Sequence, residues 1–232
     1  MDTDYLRHDD VYRKLIKEEN AIGWDKTPAA YEEMEQRLKF IFDLCEMPSR
    51  GRILELGCGA GNISLWLEKQ GYEVTGIDIS PTAIAWAKSK CLDAGGTTRF
   101  FVDNVLDMRF AEDGYFDIVL DGHCLHCIIG DDRRAFFSES SRVLKPGGRL
   151  LIDTMCGPVI GNQLSGYDPK TQCTMSDGIA TRYFGLPEEI EKEVVDSGFN
   201  ITMVIREPEP PHSTIVFLAA KPSPDDMSRS NN

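Results

Sequence analysis

The chain has 232 residues, 41% hydrophobic and 27% charged, with a formal net charge of −13. That length and balance suit one α/β domain with a full core, and the acidic excess argues against nucleic acid, whose phosphates are held by clustered Lys and Arg. Residues 1–20 show no basic-then-apolar leader, no apolar run approaches the ~18 residues that span a membrane, and seven cysteines without a secreted scaffold's spacing are expected as reduced thiols, so the expected setting is cytoplasmic with no membrane partner.

In chain order, Asp9–Ala21 has the period of an amphipathic helix, and Ala30–Leu44 that of another, with Met34, Leu38, Ile41 and Phe42 on its inner face. Residues 1–50 are therefore expected as a helical cap. Arg52–Leu56 is a short apolar run closing on glycines at alternate positions, Gly57, Gly59 and Gly61. This reads as a buried strand turning sharply into a helix whose inner face carries Ile63, Trp66 and Leu67. A strand at Glu73–Ile77 follows, then a helix with Ser80 at its N-cap, Pro81 at its first position, and Ile84, Ala87 and Cys91 inside. Strands are expected at Arg99–Val102, Phe116–Leu120 and Arg149–Asp153, with a helix from Asp131 to Leu144 that Lys145-Pro-Gly-Gly148 ends. This alternation implies a doubly wound, mostly parallel sheet with helices on both faces.

The last third changes character. Between Cys156 and Gly185 the period is lost, and Asp177-Gly178 marks a hairpin between Gln172–Met175 and Ile179–Phe184. Residues 156–185 are expected as an insertion serving as a substrate lid, with a dimer contact or plain surface loop as alternatives. Pro187 opens a helix with Ile190, Val194 and Val195 on its inner face that stops at Gly198. The runs Ile201–Ile205 and Thr214–Ala220 are too close for a crossover and should pair antiparallel. The sheet then has seven strands with an antiparallel last strand, over residues 51–221, and residues 222–232 form a polar tail expected to fray.

Glu55-Leu-Gly-Cys-Gly-Ala-Gly61, Gly76-Ile-Asp-Ile-Ser80, Phe116-Asp-Ile-Val-Leu-Asp121 and Leu144-Lys-Pro-Gly-Gly148 occur in one order. Together they resemble the class I (Rossmann-like) S-adenosylmethionine-dependent methyltransferases, over roughly Arg52 to Asp153. A dinucleotide-binding enzyme is the competing reading, but it wants a glycine where the chain has Asn62, and pyrophosphate would sit poorly beside Glu55.

The resemblance implies S-adenosyl-L-methionine as cofactor. The three glycines admit close backbone approach, and amides at the start of the next helix can meet the donor's carboxylate. Asp78 is placed to accept from the ribose hydroxyls. The resemblance adds Glu55, Cys58, Asn62 and Ile79 around these turns, Asn104 and Val105 at the adenine, and Asp121 with Gly122 near the ammonium group. The usual acid at the adenine is replaced by Asn104, with Asp103 one residue early.

His123, Cys124, His126 and Cys127 invite a zinc reading, but their spacing is too compressed and no second ligand pair exists, so no metal is expected. The resemblance has His123 facing the acceptor, where it is the candidate general base, with His126 beside it either meeting substrate or bonded inside its loop. Trp24 and Tyr31 are candidate substrate walls, with core packing the alternative, and Arg182 and Tyr183 are candidates for contact with an acceptor carboxylate or ring, with a plain surface role the alternative. The expected reaction is in-line methyl transfer to a small-molecule acceptor by a monomer or homodimer. A protein methyltransferase, or a protein that binds the donor without turnover, are the other readings.

Overall fold

The structure is a computed structural model, and it describes residues 1–18, 20–160 and 164–224. The expected tail therefore lies mostly outside the described residues, as does 161–163 in the insertion. The chain divides into two compact units, one of Leu6–Val105 and one of Met1–Tyr5 with the chain from Leu106 on.

The first unit opens with α1 (Arg7–Leu15) and α2 (Pro28–Leu44). It continues through β1 (Arg52–Leu56), α3 (Asn62–Lys69), β2 (Glu73–Asp78), α4 (Pro81–Asp93) and β3 (Arg99–Val102). β1 pairs parallel with β2, and β2 parallel with β3. Helix α1 stops six residues before the expected Ala21. Beyond it the chain turns through Asn20 at φ 71°, and Ile22 is pinned by its carbonyl, which accepts from Asn62 Nδ2 at 3.0 Å. Ser80 caps α4 as expected, its Oγ accepting from the Ala83 amide at 3.0 Å. A second cap was not expected: Asp9 on α1 accepts from Ser80 Oγ at 2.6 Å and from the Thr82 amide at 2.9 Å. Two side chains thus satisfy donors that a helix start leaves open.

The second unit holds β4 (Phe116–Asp121), a 3₁₀ turn at Leu125–Cys127, α5 (Asp132–Val143), β5 (Leu144–Cys156), α6 (Pro187–Asp196), β9 (Asn200–Glu209) and β10 (His212–Ala220). β4 runs parallel to β5, while β10 is antiparallel to both β5 and β9. The seven strands take the order β3-β2-β1-β4-β5-β10-β9, the mostly parallel sheet that the pattern implies, with its last strand, β10, antiparallel and lying between β5 and the edge strand β9.

Two expectations are corrected here. Lys145-Pro-Gly-Gly148 does not separate helix from strand, because β5 begins at Leu144 and takes the tetrapeptide in as an irregularity: Phe116 pairs with Leu144, and Ile118 already with Arg149. The extra residues keep backbone partners, Gly147 donating to the Lys221 carbonyl and Lys221 to the Gly148 carbonyl, both at 2.9 Å. On α6, Ile190 and Val194 are buried but Val195 is 55% exposed, being one step of about 100° off the inner stripe.

The insertion forms a separate antiparallel sheet of β6 (Tyr167–Asp168), β7 (Cys173–Ser176) and β8 (Ile179–Tyr183). Its hairpin turns at Asp177 and Gly178, with φ of 52° and 81°, where an Asp-Gly pair tolerates the left-handed backbone. β6 was not expected, being only two residues long.

Candidate active site

In the first unit the alternate glycines are a backbone requirement. Gly57, Gly59 and Gly61 have φ of 68°, 53° and 75°, a region that side chains disfavour. A Cβ at 61 would lie 2.8 Å from Phe100 Cζ and 2.9 Å from Ala87 Cβ. One at 59 would collide with the Tyr12 hydroxyl. Gly61 stands at the N-cap of α3 and gives it no side-chain cap, which leaves that helix's first amides to other acceptors.

Asp78 is buried beside this turn and is held from both sides, Oδ2 accepting from the Gly59 amide at 2.9 Å and Oδ1 from the Ser80 amide at 2.8 Å. Burial raises its pKa, and the two amides oppose that shift. Ile79 follows, half-buried, and Cys58 is buried with its thiol pKa pushed well up by desolvation. Two of the expected residues have structural partners. Glu55 is buried and accepts from Ser64 Oγ on α3. Both ends of the Asn62 side chain are engaged, Nδ2 by Ile22 and Oδ1 by Lys90 Nζ at 2.8 Å, so its backbone amide is what it offers a ligand. Asp103 turns onto the Asn104 amide at 2.8 Å, and Val105 is buried.

The cap residues pack around the same turn. Trp24 lies 5.5 Å from Tyr12 and 5.7 Å from His8 between ring centroids, in a cluster with Trp86 and Ala83. Tyr31 is buried, and its hydroxyl accepts from the Asp25 amide at 3.5 Å. Tyr12 and Lys90 were not anticipated. Lys90 donates to the Ile22 carbonyl, stands 4.7 Å over the Trp86 ring, and is drawn down to about 8 by burial. The only signal for either was its place on the inner side of a helix.

In the second unit Asp121 ends β4. Its Oδ1 accepts from the amides of Cys124 at 2.9 Å and Leu125 at 3.1 Å. Its Oδ2 is buried with no partner among the described residues. Burial pushes its pKa up to about 6, against those two amides and the nearby His123. Past Gly122, His123 sits at φ 64° with Nε2 3.5 Å from Asp153 Oδ2 on β5. His126 is buried, with Nδ1 3.5 Å from Thr154 Oγ1. Asp153 was foreseen as the end of a strand but not as a partner for His123.

Arg133, also unforeseen, braces this loop from below. It donates to the carbonyls of Leu125 at 2.8 Å and Ile128 at 3.2 Å, binds both Glu193 oxygens, and lies 4.8 Å over the Tyr183 ring. Arg182 is on β8 beside a cavity of the insertion.

Residues 54–152 match the family model described as "Methyltransferase domain". Over those residues the chain carries a methyltransferase domain. Among curated relatives, this chain is 31% identical over 119 residues to a ubiquinone biosynthesis O-methyltransferase of Xanthomonas axonopodis, covering 51% of this chain and 48% of the relative. It spans about half the length of the curated relatives it matches. A crystal structure of an S-adenosylmethionine-dependent methyltransferase from Methanosarcina mazei superposes with a TM-score of 0.63 at 26% identity, covering 76% of this chain and 95% of that one. A Burkholderia thailandensis 1,6-didemethyltoxoflavin-N1-methyltransferase, determined with S-adenosylhomocysteine, shares the fold at a TM-score of 0.68 and 19% identity, over 94% of this chain and 88% of that one.

The residues of the methyltransferase domain fit the donor that the family uses. In the first unit the turn leaves no room for a Cβ at 59 or 61 and a buried acid ends β2; in the second, taken by itself, the buried Asp121 Oδ2 has an open valence that suits an ammonium.

Proposed function

We propose that the protein transfers a methyl group from S-adenosylmethionine to a small-molecule acceptor. The reading rests on one observation above the rest: the glycine turn presents bare backbone while its Gly59 amide fixes the buried Asp78 carboxylate. When bound, the donor supplies a methyl made electrophilic by a sulfonium, ready for in-line displacement.

The chain's own residues then have alignment as their main task. Gly57, Gly59, Gly61, Cys58 and the Asn62 amide bind the donor's backbone-like end, with Asp78 and Ile79 at the sugar and Asn104 and Val105 at the base. Asp121 and Gly122 receive the ammonium. Holding reactants in register and away from water is worth several orders of magnitude in rate. His123 takes the acceptor's proton at Nδ1, and Asp153, 3.5 Å from Nε2, stabilises the imidazolium that results. Residues 1–50 act as the cap, with Trp24 and Tyr31 as its wall and Tyr12 over Gly59, and residues 156–185 act as the lid. Among the described residues no helix is long and apolar enough to cross a membrane, and the seven cysteines are all free, which supports the cytoplasm as the proposed setting.

Titration calorimetry with S-adenosylhomocysteine and with NAD tests the donor: heat with the first and none with the second is expected, and the reverse overturns the reading. Labelled methyl donor added with fractionated cell extract tests the acceptor. Label is expected in small metabolites, whereas label in protein or nowhere would overturn that part.

A further inference from the structure

A cavity of about 410 Å³ lies within the second unit, where the end of β5 meets the β7–β8 hairpin and the start of β10. That volume is in the range of pockets that hold small molecules, about 300–1,000 Å³. Met155, Leu164 and Met175 give it apolar walls. Phe184 and His212, stacked with centroids 5.6 Å apart and planes 26° apart, give it a flat aromatic one.

Its polar groups are few and specific. Arg182 Nε and His212 Nδ1 both line it through their residues, are buried, and have no hydrogen-bond partner among the described residues. A buried polar nitrogen left unpaired is disfavoured, and two lining one cavity call for a ligand that satisfies both. The threonine hydroxyls nearby do not supply it, since Thr181 Oγ1 bonds Thr174 Oγ1 at 2.9 Å and the Thr174 carbonyl at 3.1 Å. In a chain of net charge −13, an anion is retained only where a particular cation meets it, and a guanidinium edge, with an imidazole lining the same cavity and carrying its proton on Nδ1, matches one planar carboxylate.

The cavity also adjoins the proposed base. Met155 in its wall and Asp153, the partner of His123, are two residues apart on β5. Alternate residues of a strand share a face about 7 Å apart.

We propose that this cavity binds the methyl acceptor and that the acceptor is a small aromatic carboxylate. Its carboxylate sits on Arg182 and His212, and its ring lies against Phe184 and the two methionines. Only the word acceptor rests on the methyltransferase reading; the carboxylate site stands on the cavity alone.

The test titrates the full chain by saturation-transfer NMR with 4-hydroxybenzoate, its uncharged methyl ester and cyclohexanecarboxylate, and measures S-adenosylhomocysteine binding separately by calorimetry. The aromatic acid is expected to bind at least tenfold more tightly than the ester and than the non-aromatic acid. Arg182→Met is expected to weaken the aromatic acid tenfold or more, Arg182→Lys less, with the heat of S-adenosylhomocysteine unchanged in both. Equal binding of acid and ester, no binding of any of the three, or an Arg182→Met variant as tight as the parent each overturns the site, and the acid–ester comparison needs no variant to fold. S-adenosylhomocysteine heat without carboxylate binding removes this proposal alone. Carboxylate binding without that heat keeps the site and removes the methyltransferase reading.

Discussion

The two units solve recognition by different means. In residues 6–105 the candidate donor site is made of backbone: glycines at positive φ, amides of a turn, and one carboxylate fixed by two of those amides. In the unit from residue 106 the candidate groups are side chains drawn from distant segments, His123 after β4, Asp153 on β5, and Arg182 and His212 on two further strands. A backbone site tolerates almost no substitution but is nearly indifferent to what surrounds it. A side-chain site can be retuned one residue at a time, and that is where acceptor choice can vary on a constant frame.

The contrast can be broken most severely at Gly61. Gly61→Ala puts a methyl against Phe100 and Ala87 at positive φ, and is expected to cost on the order of 2–4 kcal/mol in denaturant unfolding and to abolish the heat of S-adenosylhomocysteine binding. A next-largest effect is expected from Arg133→Met. It leaves Glu193 and two loop carbonyls unmatched, for about 3 kcal/mol, with faster amide exchange confined to Cys124–Ile128 and unchanged S-adenosylhomocysteine affinity. If exchange rises equally in the glycine turn, the two sites are not as separable as argued.

His123→Gln sharpens the comparison on the chemical side. Turnover should fall about 100-fold, the usual worth of a positioned base, with donor affinity intact. A variant as active as the parent at every pH would remove the base role.

The smallest effect is at Asp121, whose folded pKa of about 6 lies above its ordinary 3.8 because of burial. A raised carboxylate favours the fold in its protonated form, so that contribution is full below about pH 4 and is lost as pH rises through about 6. Asp121→Asn should therefore stabilise the ligand-free protein at pH 8 by on the order of 1–3 kcal/mol, with no gain at pH 4. It should also weaken S-adenosylhomocysteine about tenfold, the worth of one charge-assisted contact. Parent affinity for that ligand should rise between pH 5 and 7 as the carboxylate forms, a trend that the Asn variant should lack.

What could be read in advance follows the same division. The glycine turn and the Asp177-Gly178 hairpin were legible because each demands a backbone state that few residues adopt, and the place of Asp78 was legible because it closes a strand. The end of α1 was not, because Ile22 is fixed by Asn62 and Lys90, forty and sixty-eight residues away. Nor was the absorption of Lys145-Pro-Gly-Gly148 into β5, where pairing with Lys221 outweighs the local tendency to break. Asp153, Arg133 and His212 had no motif, since their roles come from neighbours that only the fold supplies. Trp24, a candidate wall for substrate with core packing as the alternative, has Tyr12 and His8 as ring neighbours.

The first five residues carry a practical lesson. Thr3 bridges Ala180 of β8, the Ala180 amide donates to the Asp2 carbonyl at 3.1 Å, and Tyr5 donates to Asp132 at 2.7 Å while taking the Ile129 amide at 3.3 Å. A reporter fused ahead of Met1 would thus tug on the hairpin that bears Arg182. A protease trimming those residues would remove the contacts with Ala180 and Asp132 and leave the glycine turn untouched.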